Sequence, residues 1–344
     1  MKTATETAAR ELRRDPITGG WVIVAAELAR EPGQFLRPNG PTDSGGGTCR
    51  LCNGQEGATP HELLAFRDGG APNEPGWRVR VIPNFAPVLR VEGTLDAGAE
   101  GPYDRMNGVG AHEILVESPE HGRRLSGLST GRITEILLAL RERIVDLRRD
   151  HRLRYIAAFK NHEEPSSPCH LGHGQWQIVG LPMVPARVKA EVAHGLRYFE
   201  EHERCMMCDV MHAEEAEGRR VIAADGACVV MAPYASRVPF ETWIVPRGHE
   251  SHFESSAAQV FEATAEALRR TLRKMDAVLE QPAYHVTLQS APVQEGAMEH
   301  AHWRIEIAPR VARGAGEGFE WGTQAYVNPT APEEAARFLR EAAG

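Results

Sequence analysis

Apolar residues recur along the chain in two rhythms, and the rhythms come in the same order twice. Trp77-Arg-Val-Arg-Val-Ile82 alternates as a strand does and ends at Pro83-Asn84. A second strand is expected at 112–117. From Gly131 to Arg149 the apolar positions Ile133, Ile136, Leu137, Leu140, Ile144 and Leu147 share one helical face. Strands at 153–159 and 173–180, flanking a loop at 160–172, complete the first set. The order then returns: strands at 228–232 and 240–245, and a helix near 256–279 carrying Phe261, Leu268, Leu272, Met275 and Leu279. Strands at 284–289 and 302–308 close the second set. Each unit is therefore a mostly antiparallel sheet crossed by one long helix, an α+β arrangement.

Segments outside the repeat divide the chain. Residues 1–14 read as a flexible arm or short helix, 15–185 as the first half, 186–204 as a linking helix and 205–344 as the second half. Asp15-Pro-Ile-Thr-Gly-Gly-Trp-Val-Ile-Val-Ala25 is a turn feeding a strand. Pro38 to Gly47 and Gly93 to Asn107 read as Gly-containing polar loops. A last strand (Thr323 to Asn328) and a helix (Pro332 to Ala343) end the sequence.

Bulk composition narrows the class without choosing a function. The 344 residues are 42% hydrophobic and 25% charged, ordinary for a globular protein. A net charge of −8 with dispersed arginines argues against a nucleic-acid partner. No apolar run approaches the length of a membrane span, and Met1 to Arg14 lacks the apolar core of a signal peptide. A cytoplasmic location is expected. Four of the six cysteines lie in two Cys-x-x-Cys pairs, which in such a chain suggests metal or redox chemistry rather than a disulfide framework. Cys169 and Cys228 are expected to be free thiols.

Each cysteine pair is followed by two spaced histidines. The first set is Cys49, Cys52, His121 and His173; the second is Cys205, Cys208, His249 and His302. The two histidines of a set are 52 residues apart in the first half and 53 in the second. The frames Glu113 to His121 and Glu241 to His249 also agree, with Glu eight residues before His. Two thiolates and two imidazoles close a tetrahedral shell, so one or two zinc ions per chain are expected, in a structural role. The competing reading is buried cysteine packing and strand-end histidines bonded to backbone.

At this level of detail the chain resembles galactose-1-phosphate uridylyltransferases. The resemblance is carried by Asp15 to Val24, Cys49-Arg-Leu-Cys52, Val81-Ile-Pro-Asn84, Glu117-Ser-Pro-Glu-His121, Phe159-Lys-Asn161 and Gln177 to Pro185. In the second half it continues through Cys205-Met-Met-Cys208, Pro239 to Pro246 and His302 to Arg310. It implies a histidine-triad-like fold, a homodimer, structural zinc and a nucleotide or sugar-phosphate substrate. The family reaction is ping-pong nucleotidyl transfer through the second His of an H-x-H-x-Q strand. Asn84, Asn161 and Gln177 match positions near the nucleotide and its phosphates.

The same strand departs from the family. It reads His173-Gly-Gln175-Trp-Gln177, which aligns His173 with the zinc position and Gln175 with the nucleophile. An amide has no basic lone pair and cannot form a nucleotidyl-imidazole. In an alternative register His170 binds zinc and His173 is the nucleophile. Further departures are Leu28 and Glu31 at family basic positions, Gln289-Ser-Ala-Pro for a His-containing segment, and Arg304 and Glu306 in the second-half strand. Candidate acids and bases on the 160–172 loop are His162, Glu163, Glu164 and His170. Trp176 alternates to the face opposite Gln175 and is expected in the core.

Three readings stay open. The first is a family-like enzyme acting on a nucleotide, nucleotide sugar or phosphorylated small molecule without a covalent nucleotidyl-histidine. The second is a conventional UDP-glucose–hexose-1-phosphate uridylyltransferase using His173. The third is a non-catalytic nucleotide-binding protein.

Overall fold

A computed structural model describes residues 10–25, 49–162, 172–224, 226–311 and 317–343. The strands are β1 (Arg10–Arg14), β2 (Trp21–Ala25), β3 (Leu64–Arg67), β4 (Trp77–Pro83), β5 (Gly98–Glu100), β6 (Tyr103–Arg105), β7 (Ala111–Val116), β8 (Tyr155–His162), β9 (Gln175–Leu181), β10 (Val221–Ala223), β11 (Cys228–Met231), β12 (Thr242–Pro246), β13 (Tyr284–Gln289), β14 (Arg304–Pro309) and β15 (Tyr326–Asn328). The helices are α1 (Thr130–Leu147), α2 (Ala186–His202), α3 (Met206–Glu217), α4 (Ala258–Val278), α5 (Glu317–Thr323) and α6 (Pro332–Glu341). No helix among the described residues is long and apolar enough to cross a membrane.

The two halves share one ten-stranded sheet in the order β10-β11-β12-β14-β13-β8-β9-β7-β4-β3. Every neighbouring pair in it is antiparallel. The order is a palindrome about the β13–β8 seam: β14 stands where β9 stands, β12 where β7 stands, and β11 where β4 stands. Helices α1 and α4 occupy corresponding places on one face of the sheet.

Alternation sorts each strand between two environments. Trp176, Ile178, Ile156, Ala158, Val286, Leu288, Ile305 and Ile307 point to the helices and join the main core with Ile136, Leu140, Phe261, Leu268 and Leu272. Burying each large side chain stabilises the fold by about 1.5–3 kcal/mol. Glu113 ties β7 to α1 through a two-pronged bond with Arg143, at 2.7 and 2.8 Å. Deeper still, the Lys160 ammonium meets Glu117 at 3.0 Å. The α1 helix begins where Ser129 accepts from the Arg132 amide.

The opposite face carries two small apolar clusters, one per half. Leu51, Trp77, Ile82, Ile114 and Val116 form the first, and Ile17, Met206, Met207, Met211, Val229, Met231 and Trp243 belong to the second. Between them the face carries Gln175, Gln177, Asn161 and His285 together with Phe159 and Val179.

Part of the segment assigned to a flexible arm is ordered. Residues 10–14 are strand β1, paired antiparallel with β2, which itself runs parallel to β15 near the other end of the chain. Arg13 fixes this sheet by bonding Glu333 on α6 at 2.9 Å. Residues 98–105 of the expected loop form a hairpin, β5–β6. Helix α2 lies in the span expected to link the halves.

Candidate functional site

The two Cys/His sets are each drawn together, with all four possible ligand atoms within 4.8 Å of one another. In the first, Cys49 and Cys52 sit on a tight turn closed by Cys52 N donating to Cys49 O. His173 Nδ1 lies 3.9 Å from Cys49 Sγ and 3.7 Å from Cys52 Sγ, and His121 Nδ1 lies 3.4 Å from Cys52 Sγ. In the second, Cys208 Sγ is 3.5 Å from both His249 Nδ1 and His302 Nδ1.

These distances test the donor set against a metal. A tetrahedral centre with ordinary zinc–sulfur and zinc–nitrogen bonds separates sulfur from nitrogen by about 3.6 Å. The observed separations bracket that value. The far side of each ring is also committed. His173 Nε2 donates to Ser118 O at 2.7 Å, and His302 Nε2 donates to Pro246 O at 3.1 Å. Ser118 and Pro246 are each three residues before the other histidine of the set, so the repeat extends to these supporting carbonyls. A proton fixed on Nε2 leaves the Nδ1 lone pair facing the cysteines. Burial lowers the pKa of His173, opposed by its bond to Ser118, so the ring is neutral near pH 7. Burial and then the neighbouring Cys49 push the Cys52 thiol up to about 11.

Strand β9 leaves the first cluster and carries Gln175 and Gln177 onto the open face. Gln177 Oε1 is 2.9 Å from His112 Nε2. Because His112 Nδ1 accepts from the Val88 amide at 3.1 Å, the His112 proton is on Nε2 and is donated to Gln177. Asn84 Nδ2 lies 2.9 Å from the same nitrogen, donor beside donor, and Asn84 Oδ1 accepts from Ala86 N. His112 thus holds Gln177 and stands beside Asn84, two residues legible in the sequence, though the sequence does not single out His112 itself. Its only signal is alternation: it stands opposite to Glu113 on β7.

Asn161, near the end of β8, pairs with His285 of β13, with Oδ1 2.8 Å from Nδ1. The Gln175 Oε1 atom is buried and has no hydrogen-bond partner among the described residues. His162, expected on a loop facing β9, instead lies within β8 on the helix side. There it stacks on Tyr284 at 4.7 Å and meets Arg124 at 2.6 Å. Its neighbour in register is the core residue Tyr284, and this pairing turns it away from Gln175. Glu163, Glu164, Cys169 and His170 lie outside the described residues, as do Leu28 and Glu31. Trp176 is buried in the core, as alternation required.

In the corresponding strand of the second half the charged side chains close on one another. Arg304 and Glu306 hold the positions equivalent to Gln175 and Gln177. Arg304 meets Glu191 and, at 2.7 Å, Glu306. Glu306 also accepts from Arg187 and Arg237, each at 2.7 Å, and Arg237 reaches Glu241 at 2.6 Å. Three guanidiniums and three carboxylates close on one another, with Arg187 and Glu191 supplied by α2. Burial alone would raise the Glu306 pKa, but Arg237, Arg304 and Arg187 outweigh it and hold the carboxyl far below its ordinary range. A cleft of about 530 Å³ lies beside this network and His302. Its charged residues, Glu191 and Arg304, are already paired.

No family model matches the sequence. Among curated proteins, ADP-glucose phosphorylase of Arabidopsis thaliana is 32% identical over 345 residues, spanning 98% of this chain and 94% of that protein. Galactose-1-phosphate uridylyltransferase of Thermotoga maritima is 26% identical over 341 residues, spanning 96% and 98%. The crystal structure of an ADP-glucose phosphorylase from Arabidopsis thaliana with bound ADP-glucose matches with a TM-score of 0.79 at 31% identity, covering 98% of this chain and all of that one.

Proposed function

Because the chain belongs to the galactose-1-phosphate uridylyltransferase family, with its histidine-triad-like fold, we propose that it is an enzyme acting on a nucleotide sugar without a covalent nucleotidyl-histidine. One observation carries this reading. The His173 ring is turned into the Cys49–Cys52 cluster with Nε2 bound to Ser118 O, while the strand offers an amide, Gln175, on the open face. The conventional uridylyltransferase reading needs His173 on that face, and the geometry weighs against it.

Gln175, Gln177, Asn84 and Asn161 bind and orient the phosphates. Amide donors aimed at the oxygens of the α-phosphate stabilise the charge that grows there during displacement. The nucleotidyl group passes directly to the acceptor in one in-line step. Names of the relatives support the substrate class: one is an ADP-glucose phosphorylase and another a galactose-1-phosphate uridylyltransferase. Zinc bound by Cys49, Cys52, His121 and His173, and by Cys205, Cys208, His249 and His302, belongs to the same reading. Four protein ligands leave no position for substrate, so each ion would hold strands and loops together rather than act on phosphate. A cytoplasmic homodimer completes the proposal.

The test is incubation with ADP-glucose and UDP-glucose labelled in the nucleotide. Turnover is expected with no acid-labile adduct on the protein. A phosphoramidate trapped on His173 would overturn the reading. Tight binding with no turnover under any acceptor would favour the non-catalytic reading that the missing nucleophile also suggests.

A further inference from the structure

Around His112 the N–H groups outnumber the atoms that accept from them. The residue lies on β7 opposite Val179 of β9, and three groups meet its ring. The Val88 amide is 3.1 Å from Nδ1, while Gln177 Oε1 and Asn84 Nδ2 are each 2.9 Å from Nε2. A proton on Nδ1 would oppose the Val88 N–H and leave the lone pairs of Nε2 and Gln177 Oε1 facing each other. A proton on Nε2 satisfies both of those contacts and leaves only Asn84 crowded against the ring. Nδ1 therefore accepts from Val88 and Nε2 donates to Gln177.

Turning the Asn84 amide over would not relieve that crowding. Its Oδ1 already accepts from Ala86 N at 2.8 Å, and a flip would set its NH2 group against that backbone N–H. Gln177 is fixed by the same logic. With Oε1 held by His112, the NH2 end of Gln177 is the end left for a ligand, and it has no hydrogen-bond partner among the described residues. Both amide oxygens are thus engaged, and both amide nitrogens have N–H groups to give. Such a surface suits a group that only accepts, and a phosphate oxygen is one. Inverting the Gln177 amide would instead put its oxygen against the phosphate oxygens, with no hydrogen between them.

We infer that His112 is a positioning residue that, by holding Gln177 Oε1, turns the Gln177 NH2 group toward the phosphates of a nucleotide sugar, beside the NH2 group of Asn84. The inference rests on the function proposed above and adds to it the residue that sets the polarity of the phosphate site. The ring is buried and acts through the amide rather than on substrate. Its own orientation is set by a backbone donor, Val88, which has no second state to offer. A chain of fixed donors thus runs from the Val88 amide through the imidazole to Gln177, and each bond decides the direction of the next.

The ring nitrogens of the whole protein, labelled with nitrogen-15 in histidine, are followed by NMR, and the His112 signal is identified by its loss in a variant. Protonation on Nε2 alone is expected; a proton on Nδ1 overturns the inference whether or not a nucleotide binds. Calorimetry with ADP-glucose, and separately with UDP-glucose, reads the consequence. His112→Asn keeps an acceptor for Val88 but falls short of Gln177, and should raise the Kd by about tenfold. His112→Gln, which again carries an N–H as far as Gln177, should recover part of that loss. In a Gln177→Ala background His112→Asn should change the Kd by less than about twofold, because the amide that the ring orients is gone. A loss in that background as large as in the unaltered protein would mean that the ring only supports the fold, and overturns the inference. An unchanged Kd in His112→Asn, or no recovery in His112→Gln, overturns it too. Should His112→Asn fail to fold, His112→Phe, which fills similar space without either bond, takes its place. Unaltered protein that binds neither nucleotide sugar counts against the proposed function instead, and the ring-nitrogen spectrum still decides the orientation of His112.

Discussion

His173-Gly-Gln175-Trp-Gln177 and His302-Trp-Arg304-Ile-Glu306 are the same strand in two halves, and each begins at a Cys/His cluster of the same shape. Past the histidine the two strands diverge. The first sends two amides to a face shared with His112, Asn161 and His285. The second sends a guanidinium and a carboxylate into a closed ionic network capped by α2. Keeping the cluster while exchanging the two residues beyond it separates two tasks. The cluster fixes the strand, and on the proposed function the residues beyond it decide whether the face receives a ligand or fills itself. If that face takes the phosphates of the proposed substrate, a neutral amide suits it, because it supplies hydrogen bonds without a buried charge to be satisfied beforehand.

The largest expected effect would show whether the clusters are equivalent. Metal analysis of the purified protein should find two zinc ions per chain, and Cys49→Ser or Cys205→Ser should each lose one and unfold at lower temperature. A stoichiometry near one in the unaltered protein would break the equivalence. Next comes the closed network. Glu306→Gln leaves Arg304, Arg187 and Arg237 short of a carboxylate and should destabilise the fold by about 3–5 kcal/mol, read from denaturant unfolding.

Acid sharpens the same contrast. Since the folded-state pKa of Glu306 is depressed, its contribution to stability is fully present above the unfolded value, about 4.3, and is lost as the pH falls through the folded value. Unfolding free energy should thus decline below about pH 4.3 more steeply in the unaltered protein than in Glu306→Gln. Equal slopes would show that the network does not carry acid stability.

On the open face, Gln177→Ala should cost about 2–4 kcal/mol in kcat/KM for the nucleotide sugar. The smallest effect belongs to Gln175→Ala, about 1 kcal/mol, as expected for one neutral hydrogen bond. A Gln175→Ala variant with no remaining activity would mean that the amide does more than bind.

Much of the fold is legible in the sequence because it is local or periodic. Residues Ile133 to Leu147 declare α1 by their spacing, and alternation puts Trp176 in the core. The repeated Cys-x-x-Cys pairs and matched histidine spacings mark both clusters. Residues with no local signal are harder. His112 and His285 are single polar positions on strands, and their meaning comes from neighbours on other strands. The ionic network joins Arg187 to Glu306 across much of the chain, so no window of sequence contains it. Strand β1 escapes a local reading because Arg10–Arg14 gains its structure from β2 and through it β15, the latter near the far end of the chain. A loop beginning at residue 160 misplaces His162, because pairing with Tyr284 extends β8 through it.

The β8–β13 seam has a consequence for how such a chain can change. Side chains on both strands alternate strictly, so sliding one half past the other by a single residue would exchange the two faces of β13. Tyr284 would then surface beside Asn161 and His285 would sink among the helices. The working surface is thus written as a phase relation between two copies of one unit. An insertion of one residue inside β13 would rewrite that phase without touching β9, Gln175 or either Cys/His cluster. Length variation should therefore collect in the connections between strands, and the strands that meet at the seam should keep their count.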